Sequence, residues 1–222
     1  MKVIFAYDEG KDVWCLLNKG KSSNNSSVPT RVYEQLVARC GEDPTLEMVE
    51  GFVRAYIAEK GIDVQEHIRK YQQDWDTVAG EYQQRAEALF GVSLPRDIHA
   101  YLTVNNRRPY NIKNDFFFVT VPVFYPRKIA MHELWHFYTW YGLGPDEEQR
   151  LGALKYNDLK ESLTVLLNVE CKDLMPEGAY DEGYPQHQDI REKILNFWTR
   201  EKSITKLWDY LGALSSEAYG AV

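Results

Sequence analysis

From Pro126 to about Gly142 runs a segment that is apolar almost all the way round, with Ile129, Met131, Leu134, Phe137, Tyr138 and Tyr141 at successive angles of a helix. It nevertheless contains two imidazoles and a carboxylate, in the order His132-Glu133-Leu134-Trp135-His136. Proline is well placed at the first helical position, and Gly142 and Gly144-Pro145 stop the helix. A helix with no polar face is buried on every side. An unpaired charge inside it costs several kcal/mol, comparable to the whole stability of a domain. The fold must therefore surround this helix and supply partners for His132, Glu133 and His136.

Two histidines four apart share a helix face, with Cβ atoms about 5–6 Å apart, a span that two imidazoles can close on one metal. Glu133 follows around the turn, where its carboxylate can reach a water whose pKa a zinc ion lowers toward about 7. The pattern predicts metal ligands at His132 and His136 and a general base at Glu133. A third ligand is then required. The spacing that continues along the same helix needs Gly at 139 and His at 142, whereas the chain has Thr139 and Gly142. Glu161, 25 residues beyond His136, is the next candidate. Asn157 or Asp158 reads as the cap of a helix carrying Leu159, Leu163 and Leu166, and its N-terminus favours an ionised carboxylate. Asp158-x-x-Glu161 also reads as a capping box that needs no metal. Glu147, Glu148, Glu170 and His187 are the other candidates.

HELWH followed by KESLTVLLN resembles the gluzincin group of zincins, the thermolysin-like and minigluzincin peptidases, over residues 63–222 in element order. The resemblance implies zinc-dependent peptide-bond hydrolysis of a peptide or protein substrate, with Glu161 as third ligand. It also implies an α+β, zincin-like fold: a small mixed sheet with an edge strand above the HExxH helix, then a mainly helical C-terminal part. In the thermolysin-like pattern the ligand glutamate is followed by a small residue and, four positions on, by an aspartate that supports a ligand histidine. Ser162 matches and Val165 does not. Such enzymes steady the oxyanion with a tyrosine or histidine donor. Tyr184 and His187, three apart in the loop before the next helix, are the residues placed for that catalytic role.

Elsewhere, residues 2–7 and 12–17 read as strands around Glu9-Gly10, and Lys19 to Ser27 as a flexible loop. Helices are expected around 32–40 and 46–57, ended by Gly61. Val64, Ile68, Tyr71, Trp75, Val78, Tyr82, Ala86 and Leu89 form one stripe, predicting a single long helix from Asp63 to Phe90. Residues 98–104 alternate as a strand, with His99 structural. Phe116 to Phe124 reads as a second strand, and Pro122 places it on an edge able to receive an extended peptide. Helices from Gln188 to Arg200 and Ile204 to Leu214 close the chain. The expected organisation is an accessory region, 1–61, and a main domain, 62–222.

The charge of −7, from 26 basic and 33 acidic residues, and the lack of any basic block argue against a nucleic-acid partner. Cys15, Cys40 and Cys171 form no Cys-x-x-Cys pair, so reduced thiols are expected. No apolar run reaches membrane-spanning length and the first residues lack a signal-peptide core, so a cytoplasmic protein is expected. A di-iron bundle would need a second Glu-x-x-His, which is missing. The other alternative is a catalytically silent zincin-like binding or regulatory protein. The intact Glu133 argues against it, since a structural zinc needs no base.

Overall fold

The computed structural model describes residues 1–18 and 29–214; the loop expected from Lys19 to Ser27 lies outside them. The chain is α+β, mostly helical, with one four-stranded mixed sheet. It forms two compact units, Met1–Thr77 with Pro95–Pro126, and Val78–Leu94 with Arg127–Val222. The division expected between 61 and 62 falls inside the first unit.

The first unit contains β1 (Val3–Ala6), α1 (Glu9–Leu17), α2 (Arg31–Cys40), α3 (Leu46–Glu59) and α4 (Val64–Asp76), then β2 (Ile98–Thr103), β3 (Tyr110–Asn111) and β4 (Phe116–Thr120). The strand order is β1-β2-β4-β3, with β3 antiparallel to β4 and the other pairs parallel. The register puts Val3, Phe5, Ala100, Leu102, Phe117 and Val119 on one face and Tyr101, Phe116 and Phe118 on the other. Helix α1 covers the second face. Trp14 stacks on Phe118 at 5.8 Å and meets Phe116 edge-on at 6.1 Å, while Cys15 joins the same core. Helix α4 lies against β1, where Gln72 completes the border of the sheet. Its Nε2 donates to the Val3 carbonyl at 3.1 Å and its Oε1 accepts from the Phe5 amide at 3.0 Å.

Two expectations are corrected in this unit. Residues 12–17 form the body of α1, because Asp8 caps a helix there: its Oδ1 accepts from the Lys11 amide at 2.8 Å. Buried Asp12, Val13, Cys15 and Leu16 then follow helical spacing. The strand expected at Phe116 to Phe124 ends at Thr120, and it is interior to the sheet, paired with β2 and β3. Pro122 lies beyond its end, so the missing proline N–H says nothing about an edge. The sequence Phe116-Phe117-Phe118-Val119 is buried on both faces, the pattern of an inner parallel strand rather than of a half-exposed one.

The second unit contains α5 (Ala79–Phe90), α6 (Pro126–Leu143, whose first residue belongs to the other unit), α7 (Asp146–Leu151), α8 (Ala153–Leu163), α9 (Leu167–Glu170), α10 (Gln188–Trp198) and α11 (Ile204–Ala213). The single helix expected from Asp63 to Phe90 is thus two, α4 and α5. Thr77 closes the first, its hydroxyl donating to the Asp74 carbonyl at 2.7 Å, and Val78 leaves helical geometry with φ −124°. The apolar stripe persists through the break, which is why periodicity alone hides it. Around α6, the Tyr82 hydroxyl donates to the Met131 carbonyl at 2.8 Å, and Phe90 meets Trp135 edge-on at 5.1 Å. Among the described residues no helix is long and apolar enough to cross a membrane.

Candidate metal centre

Helix α6 sets His132 and His136 one turn apart with their rings nearly perpendicular, 4.7 Å between centroids, and their Nε2 atoms 3.1 Å apart. Helix α8 supplies Glu161, whose Oε1 lies 3.4 Å from His136 Nε2 and Oε2 3.6 Å from His132 Nε2. These three side chains present one nitrogen or oxygen each to a common point and could hold a metal ion. His136 is buried, Glu161 nearly so, and the His132 side chain keeps 23% exposure, so the centre opens on the His132 side. Glu133 is buried next to His132.

The setting of Glu161 differs from the sequence reading. Helix α8 begins after Gly152, so Asp158 is mid-helix and caps nothing. Glu161 stands inside a helical run that continues through residues 164–170, away from the helix start expected for it. Its burial disfavours the charge, but His136, His132 and Lys160 outweigh this and hold the carboxyl well below its ordinary range. Lys160, singled out by no sequence pattern, is buried with its Nζ 3.7 Å from Glu161 Oε1 and 2.9 Å from Asn157 Oδ1. Burial lowers its pKa, while the charges of Glu161 and Glu133 resist that shift.

The two imidazoles are tuned in opposite directions. Burial lowers both, and at His136 it prevails over Glu161, bringing the ring down to about 4. At His132 the Asp181 carboxylate overrides burial and pushes the ring up to about 10. Asp181 Oδ2 lies 2.6 Å from His132 Nδ1, so Nδ1 carries the hydrogen and Nε2 faces His136 and Glu161. Val165, which the sequence reading compares with a supporting aspartate, is not the partner of His132; Asp181 is. It sits in the loop between Pro176 and Pro185, where nothing in composition or periodicity marks a residue as buried.

The remaining candidates are placed as follows. His187 is buried, with Nε2 3.1 Å from Asp158 Oδ1, one turn of α8 before Glu161. Tyr184 is exposed at 47% and its ring meets His187 edge-on at 5.5 Å. Glu170 accepts from Trp198 Nε1 at 2.7 Å and from Lys202 Nζ at 2.9 Å. Glu147 pairs with Arg150 and accepts from Trp208 Nε1 at 2.7 Å. Glu148 lies on α7. None of these three glutamates belongs to the His132, His136 and Glu161 group. Nor could position 142 supply a ligand: a Cβ there would lie 3.0 Å from both the Cβ and the carbonyl oxygen of Phe90.

No protein-family model, curated protein or solved structure matches this chain.

Proposed function

We propose that the chain is a zinc-dependent metallopeptidase of the gluzincin type, with His132, His136 and Glu161 as ligands and Glu133 as general base. The observation that carries the reading is the convergence of three donor groups. The two Nε2 atoms are 3.1 Å apart, Glu161 Oε1 lies 3.4 Å from His136 Nε2 and its Oε2 3.6 Å from His132 Nε2, and one donor atom from each residue lies within 4.8 Å of the others. Two imidazoles and one carboxylate are also the donor set of hydrolytic zinc, with one position left for water or substrate. Held by His132, His136 and Glu161, a zinc ion would supply acidification of a water and polarisation of a carbonyl oxygen.

The protein's own groups supply the rest. Glu133 takes the proton from the attacking water and returns it to the leaving amine, a task suited to a carboxylate held in place by burial. Asp181 keeps His132 in the tautomer that turns Nε2 inward. His187, steadied by Asp158, and Tyr184 donate hydrogen bonds to the oxyanion. The substrate is a peptide or protein, and the sheet and helices form a zincin-like fold.

The test is Glu133→Gln, which keeps both imidazoles. It should retain near-stoichiometric zinc and lose hydrolysis of a peptide library by about 10²–10⁴-fold. His132→Ala should lose the metal as well. Full peptidase activity in Glu133→Gln would sink the mechanism.

A further inference from the structure

The most constrained polar group in the second unit is Asp181. Among the described residues it is gripped from three elements. Asn168 of α9 binds both sides of its backbone, Nδ2 donating to the Asp181 carbonyl at 2.8 Å and Oδ1 accepting from its amide at 2.6 Å. Thr164, in the turn between α8 and α9, places its hydroxyl 2.8 Å from Asp181 Oδ1. Arg191 of α10 donates from Nη1 to the same Oδ1 at 3.0 Å and from Nη2 to the Asp181 carbonyl at 2.5 Å. With Oδ1 occupied by Thr164 and Arg191, Oδ2 is left for His132. Arg191 reaches the other ligand helix too. Its Nη1 lies 3.0 Å from the Thr164 hydroxyl, which lies 2.7 Å from the carbonyl oxygen of Glu161.

Arg191 is itself fully enclosed, with 4% of its side chain exposed. Gly183, in the left-handed region at φ 65°, lies directly against the guanidinium: a Cβ at 183 would come within 2.5 Å of Nη1 and 2.6 Å of Cζ. The loop that carries Asp181 therefore closes over Arg191 only because residue 183 has no side chain.

We propose that Arg191 is a positioning residue for the metal centre. By clamping Asp181 and Thr164 together it fixes the His132 ring and the Glu161 backbone at once, and Gly183 is the residue that lets the clamp shut. The functional part rests on the zinc reading above; the clamp on His132 does not need it. A flat guanidinium suits this role because its fork delivers several N–H groups at fixed angles, which an ammonium cannot reproduce.

The experiment compares wild type with Arg191→Met, Arg191→Lys and Gly183→Ala in the full chain. Gly183→Ala keeps every charge and donor and forces the guanidinium aside, adding only the local strain of a side chain at φ 65°, so it decides the matter if Arg191→Met fails to fold. In metal-free protein, NMR should show the His132 Nδ1 proton sharp and slowly exchanging in wild type. It should be broadened or shifted in Arg191→Met and Gly183→Ala, although circular dichroism stays native. Competition with a chelator should then show zinc affinity falling about 10–100-fold in both, as when an outer partner of a ligand is lost. Arg191→Lys should fall between these and wild type. An unmoved His132 proton with wild-type zinc affinity in either folded variant overturns the proposal. A wild-type protein that binds no zinc would overturn the proposed function instead, leaving the NMR comparison to decide the clamp.

Discussion

Each unit buries an aspartate, and the two are treated oppositely. Asp12, inside the first unit, meets neutral donors: its Oδ1 accepts from the Thr103 hydroxyl at 2.6 Å and the Val104 amide at 3.1 Å. Burial pushes it up to about 6, and the bonds from Thr103 and Val104 reverse only part of that. Around it, Asn105 Nδ2 donates to the Cys15 carbonyl at 3.1 Å and the Thr30 hydroxyl to Asn105 Oδ1 at 2.7 Å. Burial likewise raises the Cys15 thiol, to about 12. Asp181 is as deeply buried but meets cations, and His132 and Arg191 hold it below its ordinary range. Burial alone therefore does not say what an acid is for. Neutral partners make Asp12 a staple that favours its proton; cationic partners make Asp181 a fixed charge that acts on the ring beside it.

The sharpest way to break this contrast is to remove charge from each side. Glu161→Ala should weaken zinc binding by more than about 100-fold, beyond the usual loss of an outer partner, and abolish hydrolysis. Asp12→Asn should leave zinc affinity, measured by the same titration, where it was. A loss of zinc in Asp12→Asn would mean that the buried acid of the first unit is not merely structural. A second effect comes from saturating the centre. Zinc at about 1,000 times its dissociation constant should add about 4 kcal/mol to the regions that hold it. Hydrogen exchange should slow at amides of α6 and α8, and equal slowing in β2 and β4 would erase the distinction.

The last effect is in pH, and between about pH 4 and 6 its sign differs between the units. Asp12 binds its proton more tightly folded than unfolded, so its contribution is complete below about pH 4 and is lost as pH rises through about 6, on the order of 2–3 kcal/mol. His136 is depressed to about 4, so the unfolded chain binds the extra proton and metal-free stability rises with pH from about 4 to 6.5. His132, raised to about 10, contributes fully below pH 6.5 and loses that contribution as pH climbs through 10. In chelator-treated protein, exchange corrected for intrinsic rate should show β2 losing protection between pH 4 and 6 while α6 gains it. Parallel trends would refute the contrast.

What could be read in the sequence follows from how locally it is encoded. The HELWH turn is legible because both imidazoles lie within one helical repeat of an apolar segment. Glu161 is legible as the third member of the group, but not through the cap expected at Asn157 or Asp158, since its helix starts at Ala153. Asp181, Arg191 and Lys160 were missed because their roles depend on contacts between elements that no spacing records. The same limit explains the fold. Helices with clear stripes are legible, whereas α1 reads as a strand because Glu9-Gly10 resembles a turn. The break at Thr77 was invisible because the stripe continues across it. The peptide-docking edge failed because an inner strand with both faces buried has no alternation to betray its place.

Gly142 leaves one further mark on this molecule. With Phe90 pressed against that position, α6 has no room for a further donor side chain at residue 142, and the third donor of the group comes from 25 residues beyond His136. An ion held as proposed by His136 and Glu161 would be a removable cross-link, closing a loop that the unfolded chain would otherwise leave open. Ordering such a loop carries an entropy cost that grows only with the logarithm of its length, about 0.6 kcal/mol for each doubling. A centre assembled from two separate helices would also report on their folding: until α8 had docked, α6 would offer an incoming metal two nitrogens and no oxygen.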